Sequence, residues 1–158
     1  MVAVRDVVRD VVAEVAPEEL PLVDGLASYD DGTVVRRLSR TGPRREPLGF
    51  GWGEVIGLAT PVVWLVLDQV AQRLADAAVD GTAKGARGLL RRLVRRRRPP
   101  ATLPALTADQ LAELRRDLLD LSIRRGLDAQ IAAEVADAVV RRLDRGPDGS
   151  PGEPGPAS

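Results

Sequence analysis

The sequence predicts an all-α protein: a small multi-helix bundle around a central apolar helix at about residues 53–80, then a C-terminal antiparallel helical hairpin and a disordered tail. Three observations lead there. Valines recur at helical spacing along the first sixteen residues, with Val4, Val8 and Val12 on one ridge and Val7, Val11 and Val15 on the next. The stretch PLGFGWGEVIGLATPVVWLVL from Pro47 to Leu67 has Glu54 as its only charge and leads into an amphipathic pattern that continues through Val79. Between Thr107 and Arg145, two leucine- and valine-striped segments carry their own start and stop residues. With 44% hydrophobic but only 3% aromatic residues, the core has to be aliphatic.

Composition shifts divide the 158 residues into an acidic N-terminal helical region (1–46), an apolar central segment with a basic amphipathic helix (47–98), a Pro-rich linker (99–106), the hairpin (107–145) and the tail (146–158). In the first region, the polar pairs Arg5-Asp6 and Arg9-Asp10 recur every four residues, which period-two alternation cannot accommodate. The same charges interrupt any signal-peptide h-region. Pro17 followed by Glu18 and Glu19 reads as a helix start, with carboxylates near the positive end of the dipole and a short stripe at Leu20, Val23 and Leu26. Asp30-Asp31-Gly32 reads as a turn, and Thr33 to Leu38 as a further short helix before Thr41-Gly42-Pro43 breaks the chain.

Gly51-Trp52-Gly53-Glu54-Val55-Ile56-Gly57 has the outline of a degraded dinucleotide-binding fingerprint, but Arg44-Arg45-Glu46-Pro47 precedes it where a hydrophobic strand is needed. Thr60-Pro61 reads as an N-cap followed by proline at the first helical position. From there the helix is apolar all round to Leu67 and then narrows to a stripe at Val63, Leu67, Val70, Leu74 and Ala78, so one end of it is expected to be buried. Leu89, Leu90, Leu93 and Val94 form a ridge in a basic amphipathic helix that ends in Arg95-Arg96-Arg97-Arg98, and Pro99-Pro100 terminates it. Thr107-Ala108-Asp109-Gln110 is a capping box opening a helix with Leu111, Leu114, Leu118 and Leu121 on one side. Gly126 fits the left-handed position after that helix, Leu127 its hydrophobic follower and Asp128 the next N-cap. Ile131, Val135, Val139 and Leu143 complete the pair, and Gly146 stops it.

Exclusions bound the function. Cysteine and histidine are both absent, which removes disulfides, thiolate chemistry, the commonest metal ligand and the usual general base. Lys84, the only lysine, lies in a basic run, and no serine sits in an SxxK or GxSxG motif. The pairs Asp76/Asp80 and Asp117/Asp120 have same-face helical spacing but read as solvated faces, because nothing else converges on them. Asp30-Asp31-Gly32-Thr33 lacks the further oxygen ligands of a calcium loop. The expectation is a non-enzymatic protein with no cofactor and no metal. Arginine, alanine, glycine and proline richness fits a GC-rich bacterial genome, and the absence of cysteine fits a cytoplasmic location.

Three interaction readings remain. In the first, the central segment associates with the inner face of the cell membrane: Phe50, Trp52 and Trp64 enter or anchor at the bilayer, and Arg91, Arg92, Arg95, Arg96, Arg97 and Arg98 hold anionic headgroups. Each large apolar residue there favours insertion by about 0.3–0.6 kcal/mol, while a carboxylate such as Glu54 well inside takes back roughly 3 kcal/mol. In the second, the same stretch is the core of a soluble helical adaptor that binds partner proteins through the hairpin or the acidic N-terminal face. The third, nucleic-acid binding through the arginine run, is the weakest, since no aromatic residue interleaves with the arginines for base stacking. Self-association is compatible with the first two.

Overall fold

The computed structural model describes residues 1–40, 59–80 and 99–146. Those residues form an all-α body: α1 (Val4–Val15), a 3-10 turn (Pro17–Glu19), α2 (Leu20–Leu26), α3 (Asp31–Arg40), α4 (Ala59–Asp80), α5 (Ala108–Arg124) and α6 (Ala129–Asp144). Two short strands, β1 (Val2–Ala3) and β2 (Thr102–Leu103), pair antiparallel with Val2 opposite Leu103.

Four helices make a ring. α1 packs against α4 and α6, and α5 packs against the same two, so every member has two neighbours. Helix formation in α1 follows its valine periodicity: Val4, Val7, Val8, Val11 and Val12 are buried while Asp6, Arg9 and Asp10 face outward. These valines meet Val62, Val63, Trp64 and Leu67 of α4, Leu114 and Leu118 of α5, and Val135 and Val139 of α6 in one continuous core. α3 covers α4 with Val34 and Leu38, and α2 covers α1 with Val23 and Leu26. Burial along α4 fades as the sequence pattern requires, from fully buried Val62 and Val63 through half-buried Val70 and Leu74 to exposed Ala78.

The α5–α6 connection is set by backbone chemistry. Thr107 and Gln110 form the reciprocal capping box that opens α5. At its other end the Leu127 N–H donates to the Ser122 carbonyl and the Gly126 N–H to the Ile123 carbonyl, a Schellman closure. Gly126 sits at φ +89°, where a Cβ is strained. Asp128 then caps α6 by accepting from the Gln130 N–H.

Four sequence expectations are corrected. Asp31 and Gly32 are not a turn but the first turn of α3, because Asp30 is the cap: its carboxylate accepts from the Thr33 N–H and hydroxyl. Thr60 is not the N-cap of α4, which begins at Ala59; the Thr60 side chain is buried and its hydroxyl has no hydrogen-bond partner among the described residues. Residues 99–106 are not simply a spacer: Ala101 accepts from the Val4 N–H, β2 pairs with β1, and Leu103 is fully buried. Pro17–Glu19 forms a 3-10 turn, and the α-helix starts at Leu20.

Candidate interaction surfaces

Of the residues nominated for membrane or partner contact, Trp64 alone lies among those described; Phe50, Trp52, Arg91, Arg92, Arg95, Arg96, Arg97 and Arg98 lie outside them. Trp64 is 1% exposed, and the Arg5 guanidinium lies 5.9 Å from its ring centroid. In this fold the indole is therefore a core side chain beneath an arginine, not a surface group. Val62, Val63 and Leu67, the neighbours expected to supply insertion energy, are fully buried with it.

Arg5 belongs to a polar knot that joins three distant segments. It ion-pairs with Asp31 and donates to the carbonyls of Ala27 at 3.3 Å and Tyr29 at 3.1 Å. The other oxygen of Asp31 accepts from the Ala101 N–H at 2.7 Å, so a nearly buried carboxylate ties α1, α3 and the approach to β2. A second buried carboxylate, Glu19, accepts from the Ala59 N–H at 3.1 Å and the Thr60 N–H at 2.8 Å. It caps the start of α4 from forty residues away. These two acids are structural: Glu19 accepts from backbone N–H groups of another segment, and Asp31 divides its oxygens between the Arg5 guanidinium and the Ala101 N–H.

The acidic N-terminal face is engaged inside the molecule. Asp10 pairs with Arg142 at 2.7 Å, Glu14 with Arg141 at 2.6 Å and Asp24 with Arg9 at 2.6 Å. The same holds for one of the carboxylate pairs considered for metal: Asp117 lies 3.4 Å from Arg73, and Asp120 pairs with Arg124. Among the described residues no group of three or more His, Cys, Asp or Glu is placed to hold a metal ion, and Lys84 and its surroundings lie outside them.

Two surfaces stand out among the described residues. On α5, Leu119 and Ile123 line a shallow groove rimmed by Arg116, Asp117 and Asp120, and Ile123 is 52% exposed. On α3, Arg36, Arg37 and Arg40 crowd the outer face, with Arg37 stacked 4.1 Å from the centroid of the half-exposed Tyr29 ring. The exposed Asp30 carboxyl at the start of α3 is held below its ordinary value, first by the Thr33 hydroxyl, then by the Thr33 N–H and the nearby Arg36 charge. The arginine face of α3 was missed from sequence although its signal is local: spacing of i, i+1 and i+4 places the three within about 100° of helix arc. Among the described residues no helix is long and apolar enough to cross a membrane. No family model, curated protein or solved structure matches the chain.

Proposed function

We propose that the protein is a non-enzymatic helical adaptor whose body is organised on α4 and which contacts a protein partner through the outer face of α5. The observation that carries this is the burial of Val62, Val63, Trp64 and Leu67, which makes the most apolar helix an internal element and leaves the exterior for recognition. The acidic N-terminal face offers less, because Asp10 and Glu14 already have α6 arginines as partners. The α5 groove combines apolar Leu119 and Ile123 with charges of both signs, the composition that receives an amphipathic helix.

Two measurements test this. Arginine at Val63 or Leu67 places an unpaired charge in the core and should abolish cooperative melting with or without lipid. A Val63→Arg protein that keeps its melting transition but no longer floats with vesicles would make α4 a membrane element and end the adaptor reading. For the contact face, Ile123→Asp should keep the fold and lose the partner recovered by wild type from its native lysate; equal recovery removes α5 from the interface.

Membrane association through the central segment is the second reading. It now rests on residues 47–58 and on Lys84–Arg98, because the other half of the apolar stretch is packed inside. Replacing Arg95 to Arg98 with glutamine separates the two readings: the adaptor keeps its fold and its partner, whereas the membrane reading requires weaker binding to anionic vesicles.

A further inference from the structure

We propose that the outer face of α5 receives a second copy of this chain, the two α5 helices lying antiparallel across a two-fold axis; this rests on α5 being the contact face. α5 packs on α4 and α6 and turns Leu111, Leu114 and Leu118 inward. On its outer side Ala112, Arg116, Leu119 and Ile123 follow one another at intervals of four, three and four residues, the spacing at which a helix presents one seam to another helix. Ala112, Arg116 and Ile123 are exposed and Leu119 is half-buried, so the seam is open to a partner. Among the described residues the Arg116 side chain donates to the carbonyl of Ala112, one turn back on its own helix, at 3.4 Å, and is in no ion pair.

The charges along the seam select the occupant. Arg116 and Asp120 are opposite in sign and one turn apart, and Glu113 and Arg124 stand a further turn out on either side. Reversing the helix about Leu118 sets Arg116 against Asp120 of the second copy and Glu113 against Arg124 of the second copy, and the two-fold axis makes each contact twice. The same operation lays Ala112 over Ile123 of the second copy, small against large, and brings the two Leu119 side chains together beside the axis. Charged and apolar pairs thus share one centre, which a self-complementary face requires. Parallel helices would instead set Arg116 on Arg116 within the seam, and like charges so placed oppose association. The pairs already present at this face are loosely held: Asp120 pairs with Arg124 and Glu113 lies 3.9 Å from Arg73, and all four side chains are more than half exposed.

The test uses the purified full chain. Sedimentation velocity from micromolar to near-millimolar protein should show a monomer passing into a dimer that dissociates on dilution, because one helix face buries less than a permanent interface needs. Arg116→Asp and Asp120→Arg should each leave the melting temperature unchanged and raise the dimer dissociation constant at least about tenfold, since each reversal is felt twice. Mixing the two variants in equal amounts should restore the dimer, because each then meets opposite charge at both positions. Arg116→Asp/Asp120→Arg in one chain should restore it too. Wild type that stays monomeric over the whole range, a single reversal that dimerises like wild type, or a mixture that stays monomeric overturns the inference. Should wild type be monomeric while Ile123→Asp still loses the partner recovered from lysate, the α5 face belongs to a different protein and the adaptor reading stands. Should Ile123→Asp change neither self-association nor recovery, both fall.

Discussion

Removing Glu19 should unfasten the helix on which the body is built. Its carboxylate is 6% exposed as a residue and accepts from the first two N–H groups of the described α4, those of Ala59 and Thr60. Glu19→Ala leaves both donors buried. At about 1–3 kcal/mol for each unsatisfied buried donor, the loss is roughly 2–6 kcal/mol, a large share of the roughly 5–15 kcal/mol that holds a domain together. Glu19→Gln keeps the shape and an acceptor oxygen but gives up the charge that favours a helix amino terminus, so it should lose about half as much. Urea denaturation followed by circular dichroism at the helical band measures both, and the ranking matters as much as the sizes. An alanine variant within about 0.5 kcal/mol of wild type, the range of an ordinary surface change, would refute the reasoning. So would a glutamine variant as damaged as the alanine one.

Arg5→Ala should cost about 2–3 kcal/mol, less than a fully buried pair because Arg5 itself is 30% exposed, and urea midpoints should show Asp31→Asn recovering part of the loss in the double variant. Gly126→Val should cost about 1–2 kcal/mol from the left-handed backbone alone; since a Cβ there meets nothing within 4 Å, alanine should cost nearly as much and asparagine less. Valine indistinguishable from glycine in thermal melts would show that the turn relaxes. The depressed Asp30 carboxyl contributes stability above its unfolded value near 3.8 and loses it as pH falls through the lower folded value. Asp30→Asn should therefore melt below wild type at about pH 6 and converge with it at about pH 2, and a gap that persists in acid would count against the Thr33 cap as its source.

What was legible in the sequence follows the range over which each feature is determined. The capping box at Thr107, the glycine closure at Gly126 and the Asp128 cap involve residues within five positions of each other, and all three are found in place. The valine face of α1 and the fading burial of α4 are periodicities, and they too are local. Glu19 was misread because the local rule is satisfied by the same residue: a carboxylate after Pro17 suits the start of its own helix as well as it suits Ala59. Nothing short of the tertiary fold distinguishes the two roles. Asp31 reaches Arg5 across 26 positions and Ala101 across 70, and the β1–β2 pairing sets Val2 opposite Leu103, so the segment read as a linker gave no local sign of its attachment. Trp64 and its neighbours were ambiguous for a different reason. A bilayer and a protein core select the same side chains, and what decides between them is whether the rest of the chain presents enough apolar surface to cover the helix. Here the α1 valines and the leucines and valines of α5 and α6 supply it.

The same distinction governs how the charge pattern should be used. An acidic N-terminal region in a chain of zero net charge invites a search for a basic partner, yet the contacts of Asp10 and Glu14 lie 132 and 127 positions away in the same molecule. Exposed pairs of this kind are worth about 0–1 kcal/mol each, so they do little for stability, but they neutralise both faces and align α1 with α6. Charge segregation along a sequence is thus evidence for an external partner only after the internal pairs are subtracted. Among the described residues that subtraction removes most of the α6 basic face and much of the α1 acidic one. Among the described residues Arg40, Arg116 and Arg145 survive it, exposed and outside any ion pair, whereas Arg36 has the Asp30 carboxylate beside it. A surface charge that the fold leaves uncompensated keeps its full long-range field, and that field is what an anionic partner would meet first.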